Sequence, residues 1–188
     1  MVSDDFADPE LGYARYIDVD SFIDHHLLNE FARNVDAFVL STYLHKKRGE
    51  KVAMGPIWDF NGALGNPDYF EGWLTEGWHH ENPEFPADNP NAYKWYERLF
   101  EDEAFQERYR ARWRELRRDA LSTESLMADI DAVVRELGPS AARNFERWDI
   151  LGDYVWPNAE GFDERNTFPK EVAYLKTWIQ NRLAWIDS

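Results

Sequence analysis

The stretch from Asp36 to Asn66, DAFVLSTYLHKKRGEKVAMGPIWDFNGALGN, decides the fold because it contains two extended segments joined by a turn. From Phe38 to His45 the pattern has the period of a β-strand, with one face made of Phe38, Leu40, Thr42 and Leu44 and the other of Val39, Ser41, Tyr43 and His45. A charged turn with a glycine follows, and the segment from Val52 to Trp58 predicts the returning strand. We expect Gly55-Pro56 to end the pairing early, since proline has no amide proton. The sequence therefore predicts one β-hairpin.

Two aspartates flank this hairpin. Asp36 comes just before the first strand and Asp59 just after the second. Because a hairpin returns its ends to within about 5 Å, we expect the two carboxylates to lie close together at its open end, which we call the mouth. Such a pair suits a hard cation such as Mg²⁺, or a division of labour between a general base and a metal ligand. The alternative interpretation is that both are ordinary turn or helix-capping aspartates, which are common at such places.

The rest of the chain predicts helices. Asp18 or Asp20 can cap a helix that runs to about Asn34. Its buried stripe is Ile23, Leu27 and Phe31. Three further apolar stripes have helical spacing: Phe105, Tyr109, Trp113 and Leu116; Leu126, Ile130, Val133 and Leu137, starting after Ser122-Thr123 and stopping at Gly138-Pro139; and Val172, Leu175, Ile179, Leu183 and Ile186 within a helix from Pro169 to Ile186 behind Thr167. The predicted fold class is mostly helical α+β.

An irregular loop from residue 60 to residue 91 is rich in Gly, Pro, Asn and aromatic residues. Loops of this length are functional or partly mobile. Its aromatic residues either line a substrate groove or pin the loop to the surface: Tyr69, Phe70, Trp73 and Trp78. The adjacent histidines His79-His80, like His25-His26 on the first helix, point apart in regular backbone, so hydrogen-bonding roles are favoured over a metal site.

The composition excludes several classes of function. The chain has 188 residues with 21 Lys+Arg and 36 Asp+Glu, a net charge of −15, which argues against nucleic acid or anionic membranes as partners. There is no cysteine and no apolar run approaching the roughly 18 residues of a membrane span. The arginine-rich segment from Arg108 to Arg118 is interleaved with acidic residues, which predicts a salt-bridged, solvated helix face.

Four segments resemble the spore coat protein H (CotH) kinase family. They are YIDVDSFIDHHLLNEFARNVDAF, MGPIWDFNGALGN, RLFEDEAFQERYRARWRELR and NFERWDILGDYVWPN. The resemblance extends from Tyr16 to Trp185 and is most specific at the N-x-D and W-D elements. It implies an atypical protein-kinase-like C-terminal lobe that transfers the γ-phosphoryl of ATP to Ser or Thr of a protein with serine-rich segments, using Mg²⁺ or Mn²⁺.

The resemblance also implies roles for individual residues. Asp36 would orient or deprotonate the acceptor hydroxyl, and Asn34 would be a supporting loop residue that fixes the Asp36 carboxylate by hydrogen bonding. Asp59 would hold the metal ion, with Asn61 as a weaker ligand. Ser41 stands where many members carry an asparagine ligand and would replace it only in part. The glycines after Asp59 would keep the chain from crowding the phosphates.

For domain organisation, we expect residues 1–188 to form one C-lobe-like domain with a lead-in over residues 1–15. No lysine precedes Asp36, so the ATP-anchoring small lobe is expected to be absent and the fragment alone to hold ATP weakly. The resemblance implies a spore coat or cell-surface location. The alternative hypothesis is a non-catalytic module that binds protein or glycan through the aromatic loop. A glycosidase using Asp36 and Asp59 as its acid pair is a third.

Overall fold

The computed structural model describes residues 4–82 and 93–188, and its central element is helix α1 (Val19–Ala32). The Asp18 carboxylate accepts a hydrogen bond from the Ser21 amide and caps the first turn. Arg33 ends the helix with a φ of 46°, a left-handed conformation. The predicted stripe of Ile23, Leu27 and Phe31 is buried in the core. The prediction of this helix is confirmed.

The hairpin is much shorter than predicted. Strand β1 (Leu44–His45) pairs with β2 (Ala53–Met54) in antiparallel register, with Leu44 opposite Met54. The second strand ends before Gly55, as expected. The first strand was wrongly predicted to start at Phe38, because residues 34–40 form consecutive turns, in which the Leu40 amide donates to the Asp36 carbonyl at 2.8 Å.

Burial of Phe38 explains this difference. Its side chain is 1% exposed, with its ring centroid 5.1 Å from that of His26 on α1. A strand at this point would direct every second side chain away from the core, whereas a turn with a φ of 68° at Phe38 folds the ring inward. The Thr42 hydroxyl accepts a hydrogen bond from the Phe38 amide and stabilises the turn. Tertiary packing therefore overrides the alternating pattern.

Four helices complete the described chain: α2 (Tyr93–Leu99), α3 (Glu103–Leu116), α4 (Thr123–Arg147) and α5 (Phe168–Asp187). Short 3₁₀ turns span Tyr13–Arg15 and His79–Glu81. The α3 stripe is buried at Phe105, Tyr109 and Trp113. The α5 stripe meets the core at Ile179 and Leu183. Both stripes pack with α1 in one hydrophobic cluster, as predicted.

Helix α4 corrects the sequence prediction. It does not stop at Gly138-Pro139 but continues to Arg147. Interior proline costs a helix about 3 kcal/mol, and contacts on both sides of Pro139 offset this cost. Leu126, Met127 and Ile130 pack on the core, while the Phe145 ring lies 5.9 Å from Phe168 of α5. Val133 and Leu137, predicted to be buried, are 53% and 46% exposed.

Two buried arginines hold the described part of the irregular loop, residues 60–82, against the helices. Arg33 donates to the carbonyls of Glu71, Glu76 and Gly77, each at 2.8 Å. Arg182 of α5 donates to the carbonyls of Thr75 and Gly77. Charged donors thus satisfy the carbonyl groups of a segment that has no ladder of its own. Residues 83–91 of the predicted loop lie outside the described chain.

About 49% of the described residues are helical and the sheet that they form has two strands, so the predicted mostly helical α+β class is confirmed. Within residues 4–82 and 93–188, no helix has the length and apolar character that crossing a membrane requires.

Candidate active site

The segments that carry the two aspartates lie side by side. The Val35 amide donates to the Gly62 carbonyl at 2.9 Å, and the Leu64 amide donates to the Ala32 carbonyl at 2.7 Å. A Cβ atom at Gly62 would stand 3.0 Å from Cγ2 of Val35, so this position favours glycine. The glycine therefore serves the close approach of two protein segments, which differs from the predicted role of making room for phosphates.

Asn34 connects the two aspartates directly. Its Nδ2 donates to the Asp59 carbonyl at 3.3 Å, and its Oδ1 accepts from the Asp36 amide at 3.3 Å. The side chain is buried, and Nδ2 also lies 3.4 Å from Oδ1 of Asn29 on α1. One amide thus fixes the backbone on both sides of the mouth, whereas the hydrogen bond expected from Asn34 to the Asp36 carboxylate is not among those of the described residues.

The hairpin is not what brings the aspartates together. Its ladder is confined to residues 44–45 and 53–54, well inside the segment between Asp36 and Asp59. The contacts of Asn34 and Val35 supply the closure instead. The sequence prediction gave the right neighbours for the wrong reason, because it assumed a ladder that extends to both aspartates.

The two carboxylates influence each other electrostatically. Asp36 is half-buried, and this burial together with the negative charge of Asp59 raises the pKa of Asp36 above its usual value. Asp59 is exposed and its φ is 61°, a conformation that aspartate tolerates better than most residues. No described residue donates a hydrogen bond to either carboxylate or forms an ion pair with it. Their negative charge is therefore available to a cation.

The two auxiliary residues lie close in sequence but make few contacts. Asn61 is exposed, and its carbonyl accepts a hydrogen bond from Nδ2 of Asn66. Ser41 is half-buried with a φ of 48° and follows the turn that begins at Asp36. Across the described ranges, no hydrogen bond links the side chain of Ser41 or Asn61 to either aspartate. The structure therefore joins Asp36, Asn34 and Asp59, and leaves the other two peripheral.

Tyr69 is a further residue of the mouth. Its hydroxyl oxygen lies 3.6 Å from the position that a Cβ atom of Gly62 would take. Burial and the charges of Asp36, Asp68 and Asp59 raise the pKa of Tyr69. The aromatic composition of the loop indicated a groove-lining role, but spacing alone gave no sign that this ring would face the aspartates.

A second polar cluster lies in the interior around Glu30. Its carboxylate accepts from the amides of His79 and His80 at 2.7 and 2.8 Å, from Nδ1 of His80 at 2.9 Å and from Arg182 at 3.3 Å. Burial alone would raise the pKa of Glu30, but the hydrogen bond and charge of His80 outweigh it and lower the pKa. Glu30 is thus an ionised carboxylate whose charge is fully compensated.

The adjacent histidines His79 and His80 point apart, as predicted. Nε2 of His79 lies 3.2 Å from the Val35 carbonyl, whereas Nδ1 of His80 contacts the Glu30 carboxylate. They are not solvated, because His79 is buried and the His80 side chain is 11% exposed. Ligand atoms of His26, Glu30 and His80 lie within 4.8 Å of one another and have the composition of a metal site. The Arg182 guanidinium and the His80 ring already neutralise the carboxylate, which disfavours a cation there.

The comparison with protein families gives a match to the model described as CotH kinase protein, over residues 2–186. None of the curated proteins and none of the solved structures matches the chain. The matched range contains Asn34, Asp36 and Asp59 and covers nearly the whole sequence. The chain therefore belongs to the CotH kinase family.

Proposed function

We propose that the protein transfers the γ-phosphoryl group of ATP to a seryl or threonyl hydroxyl of a protein substrate, with Asp36 and Asp59 as its two working carboxylates. The observation that carries this proposal is that Asn34 holds both aspartates together and that no described residue neutralises them. A repulsive carboxylate pair is costly for stability, so its presence points to catalytic use. Membership of a kinase family supports the same reaction.

The residues present fit a divalent metal ion. The carboxylates of Asp36 and Asp59 and the side-chain amide oxygen of Asn61 are hard oxygen donors of the kind that Mg²⁺ or Mn²⁺ prefers. When bound, the ion supplies the positive charge that balances the phosphates of ATP, which an acidic chain of net charge −15 would otherwise repel. We assign Asp59 to the metal ion because its carboxylate is exposed.

Asp36 is suited to the acceptor hydroxyl. Its raised pKa makes it a better proton acceptor than a fully solvated aspartate. In the transfer, the seryl oxygen forms a bond to the γ-phosphorus, and the bond from that phosphorus to the β,γ-bridging oxygen breaks. ADP leaves and the hydroxyl proton passes to Asp36. Asn34 acts as a positioning residue because it holds the Asp36 backbone, and Ser41 is at most an accessory ligand.

The substrate that we propose is a protein with serine-rich segments at the spore coat or cell surface. The family supports a protein substrate and its name points to the coat. No nucleic acid is expected as a partner because of the acidity of the chain.

The test is transfer of labelled phosphate from ATP with Mg²⁺ or Mn²⁺ to serine-rich peptides, using the protein as its gene encodes it. Asp59→Asn should lower the rate by about 100-fold or more. The matched control is Asp163→Asn, because Asp163 is also exposed and carries no ion pair within the described ranges. Equal rates for both variants, or no nucleotide binding by the folded protein, would rule out this function.

A second candidate is a binding module without catalysis. The Tyr69 and Trp156 rings stack in parallel with centroids 6.0 Å apart, and Trp156 is 69% exposed. Exposed aromatic faces of this kind can bind sugar rings or apolar side chains. Binding of a glycan or protein that is lost in Trp156→Ala and unchanged in Asp59→Ala, without any phosphotransfer, would favour this candidate.

A further inference from the structure

A cavity of about 1200 Å³ lies between the 78–81 segment and helix α3, away from the two aspartates. None of its lining residues belongs to the segments around Asp36 and Asp59. The cavity exceeds the roughly 300–1000 Å³ that small ligands usually occupy, and it opens to solvent along α3. It is therefore a site separate from the proposed active site.

Arginines of α3 and of the turn that follows it form one wall of this cavity. Arg110, Arg114 and Arg118 recur every four residues, are exposed, and form no ion pair among the described residues. Other arginines of the same segment do form ion pairs, Arg108 with Asp20, Arg112 with Asp24 and Arg117 with Asp187. The predicted salt-bridged face is thus confirmed for Arg108, Arg112 and Arg117, the last of which also lines the cavity, and it is wrong for Arg110, Arg114 and Arg118.

Arginines without an ion pair are unexpected here because acidic residues outnumber basic ones, 36 to 21. Arg110 donates to the Gln106 side chain and Arg118 to the Arg114 carbonyl, and both acceptors are uncharged. The acids that also line the cavity do not neutralise these arginines. Asp187 pairs with Arg117, Glu81 lies 3.8 Å from His80, and Glu97 forms no ion pair within residues 4–82 and 93–188. With Asp187 paired to Arg117, three arginines without an ion pair face two lining acids, Glu81 and Glu97, so the described cavity lining carries a small excess of positive charge.

Apolar rings and one unpartnered histidine atom form the other walls. Trp78, Phe100 and Trp113 offer aromatic surface to the cavity. His26 also lines it, and its Nε2 is buried without a hydrogen-bond partner, while its Nδ1 lies 2.8 Å from the Tyr109 hydroxyl. A buried polar atom of this kind indicates a missing partner. If the Tyr109 hydroxyl donates to Nδ1, then Nε2 carries the proton and can donate to a ligand oxygen.

We propose that this cavity binds an extended acidic peptide segment of a partner protein, with an apolar side chain of that peptide against the aromatic wall. Arg110 and Arg114 are about 6 Å apart along α3, and Arg118 follows in the turn after the helix. Alternate residues of an extended peptide are about 7 Å apart, so acidic side chains at alternate positions match the arginine spacing. A single small anion would reach only one or two of the arginines. The inference does not depend on phosphotransfer.

The test is fluorescence anisotropy with a labelled peptide that has glutamate at alternate positions and one central phenylalanine. Simultaneous Arg110→Glu, Arg114→Glu and Arg118→Glu substitutions should weaken binding by at least about tenfold. The same peptide with glutamine in place of glutamate should bind at least about tenfold more weakly to the unmodified protein. Circular dichroism of each variant verifies the fold.

The matched control reverses three exposed arginines of α4, Arg135, Arg143 and Arg147, none of which lines the cavity. Both triple variants change the net charge by the same amount. The proposal is overturned if the α4 variant loses as much affinity as the α3 variant, because overall charge would then explain the binding. It is also overturned if neither variant loses affinity, or if inorganic phosphate displaces the peptide at equal concentration, which would indicate a small-anion site.

Discussion

Glu30 and the pair of Asp36 and Asp59 show two opposite treatments of a carboxylate within a few residues of sequence. Glu30 is fully buried, yet two backbone amides, the His80 ring and Arg182 compensate its charge. Asp36 and Asp59 are more exposed, yet no described cation or donor contacts either carboxylate. Burial alone therefore does not identify a functional carboxylate. A carboxylate held in place but left uncompensated is the better sign.

The largest expected effect comes from removing the charge at Glu30. Glu30→Gln should lower the free energy of unfolding by about 3–5 kcal/mol, because it breaks a buried ion pair and leaves donors without an acceptor. Urea denaturation measures this change, with Glu71→Gln as the control, because the Glu71 side chain also pairs with an arginine, Arg33, but is 43% exposed. A loss below about 1 kcal/mol would mean that the Glu30 cluster is not a structural anchor.

The next effect concerns the bridge between the aspartates. Asn34→Ala should cost about 1–3 kcal/mol, because a buried backbone carbonyl and amide lose their partner. It should also lower phosphotransfer, mainly through kcat, since Asp36 is less well positioned. Denaturation and steady-state kinetics together measure both effects. Full activity in a destabilised Asn34→Ala protein would separate the bridge from the chemistry.

The pH dependence of stability sharpens the comparison further. Burial opposes protonation of His80, but the hydrogen bond with Glu30 outweighs it and raises the pKa of His80. The stability that protonated His80 gives the fold is therefore complete below the unfolded pKa of about 6.5. It is lost as the pH rises through the folded pKa. His80→Gln should remove about 1 kcal/mol of this pH-dependent stability. Thermal unfolding from acid to alkaline pH measures this loss, with His45→Gln as the control. The prediction is contradicted if the melting temperatures of His80→Gln and of the unmodified protein change with pH in the same way.

The smallest effect has the opposite sign. Asp36→Asn should raise stability at neutral pH by about 1 kcal/mol or less, because it removes a half-buried charge and its repulsion from Asp59. The gain should disappear at acidic pH, where Asp36 itself is protonated, since a raised pKa means that ionisation destabilises the fold. Phosphotransfer should fall in the same variant. Thermal unfolding measures the change. A lower melting temperature for Asp36→Asn than for the unmodified protein at neutral pH would show instead that the carboxylate has a structural partner.

Periodicity made much of the fold predictable. Helices α1, α3 and α5 follow apolar stripes with clear starting residues, such as Asp18 and Thr167. The turn at Phe38 was not predictable, because a contact with His26 on another element decides it. The continuation of α4 beyond Pro139 likewise depends on Phe145 meeting Phe168. Local patterns carry no information on such tertiary contacts.

The candidate site was likewise predictable from the sequence only in part. The positions of Asp36 and Asp59 on either side of a hairpin predicted their proximity, although Asn34 provides the actual link. The Glu30 cluster could not be predicted, because Arg182 follows Glu30 by 152 residues. Neither residue belongs to the N-x-D or W-D element. Polar partners that are distant in sequence can be recognised only after the helices are assembled.

The bridge at Asn34 has a direction. Its oxygen accepts from Asp36 and its nitrogen donates to Asp59, so exchanging the two ends would set donor against donor and acceptor against acceptor. Aspartate has the same shape but no donor, leucine has neither function, and glutamine is one methylene too long. Asparagine supplies a donor and an acceptor from one short, planar group. A replacement that removes either function of the Asn34 amide therefore leaves the Asp36 amide or the Asp59 carbonyl without this partner.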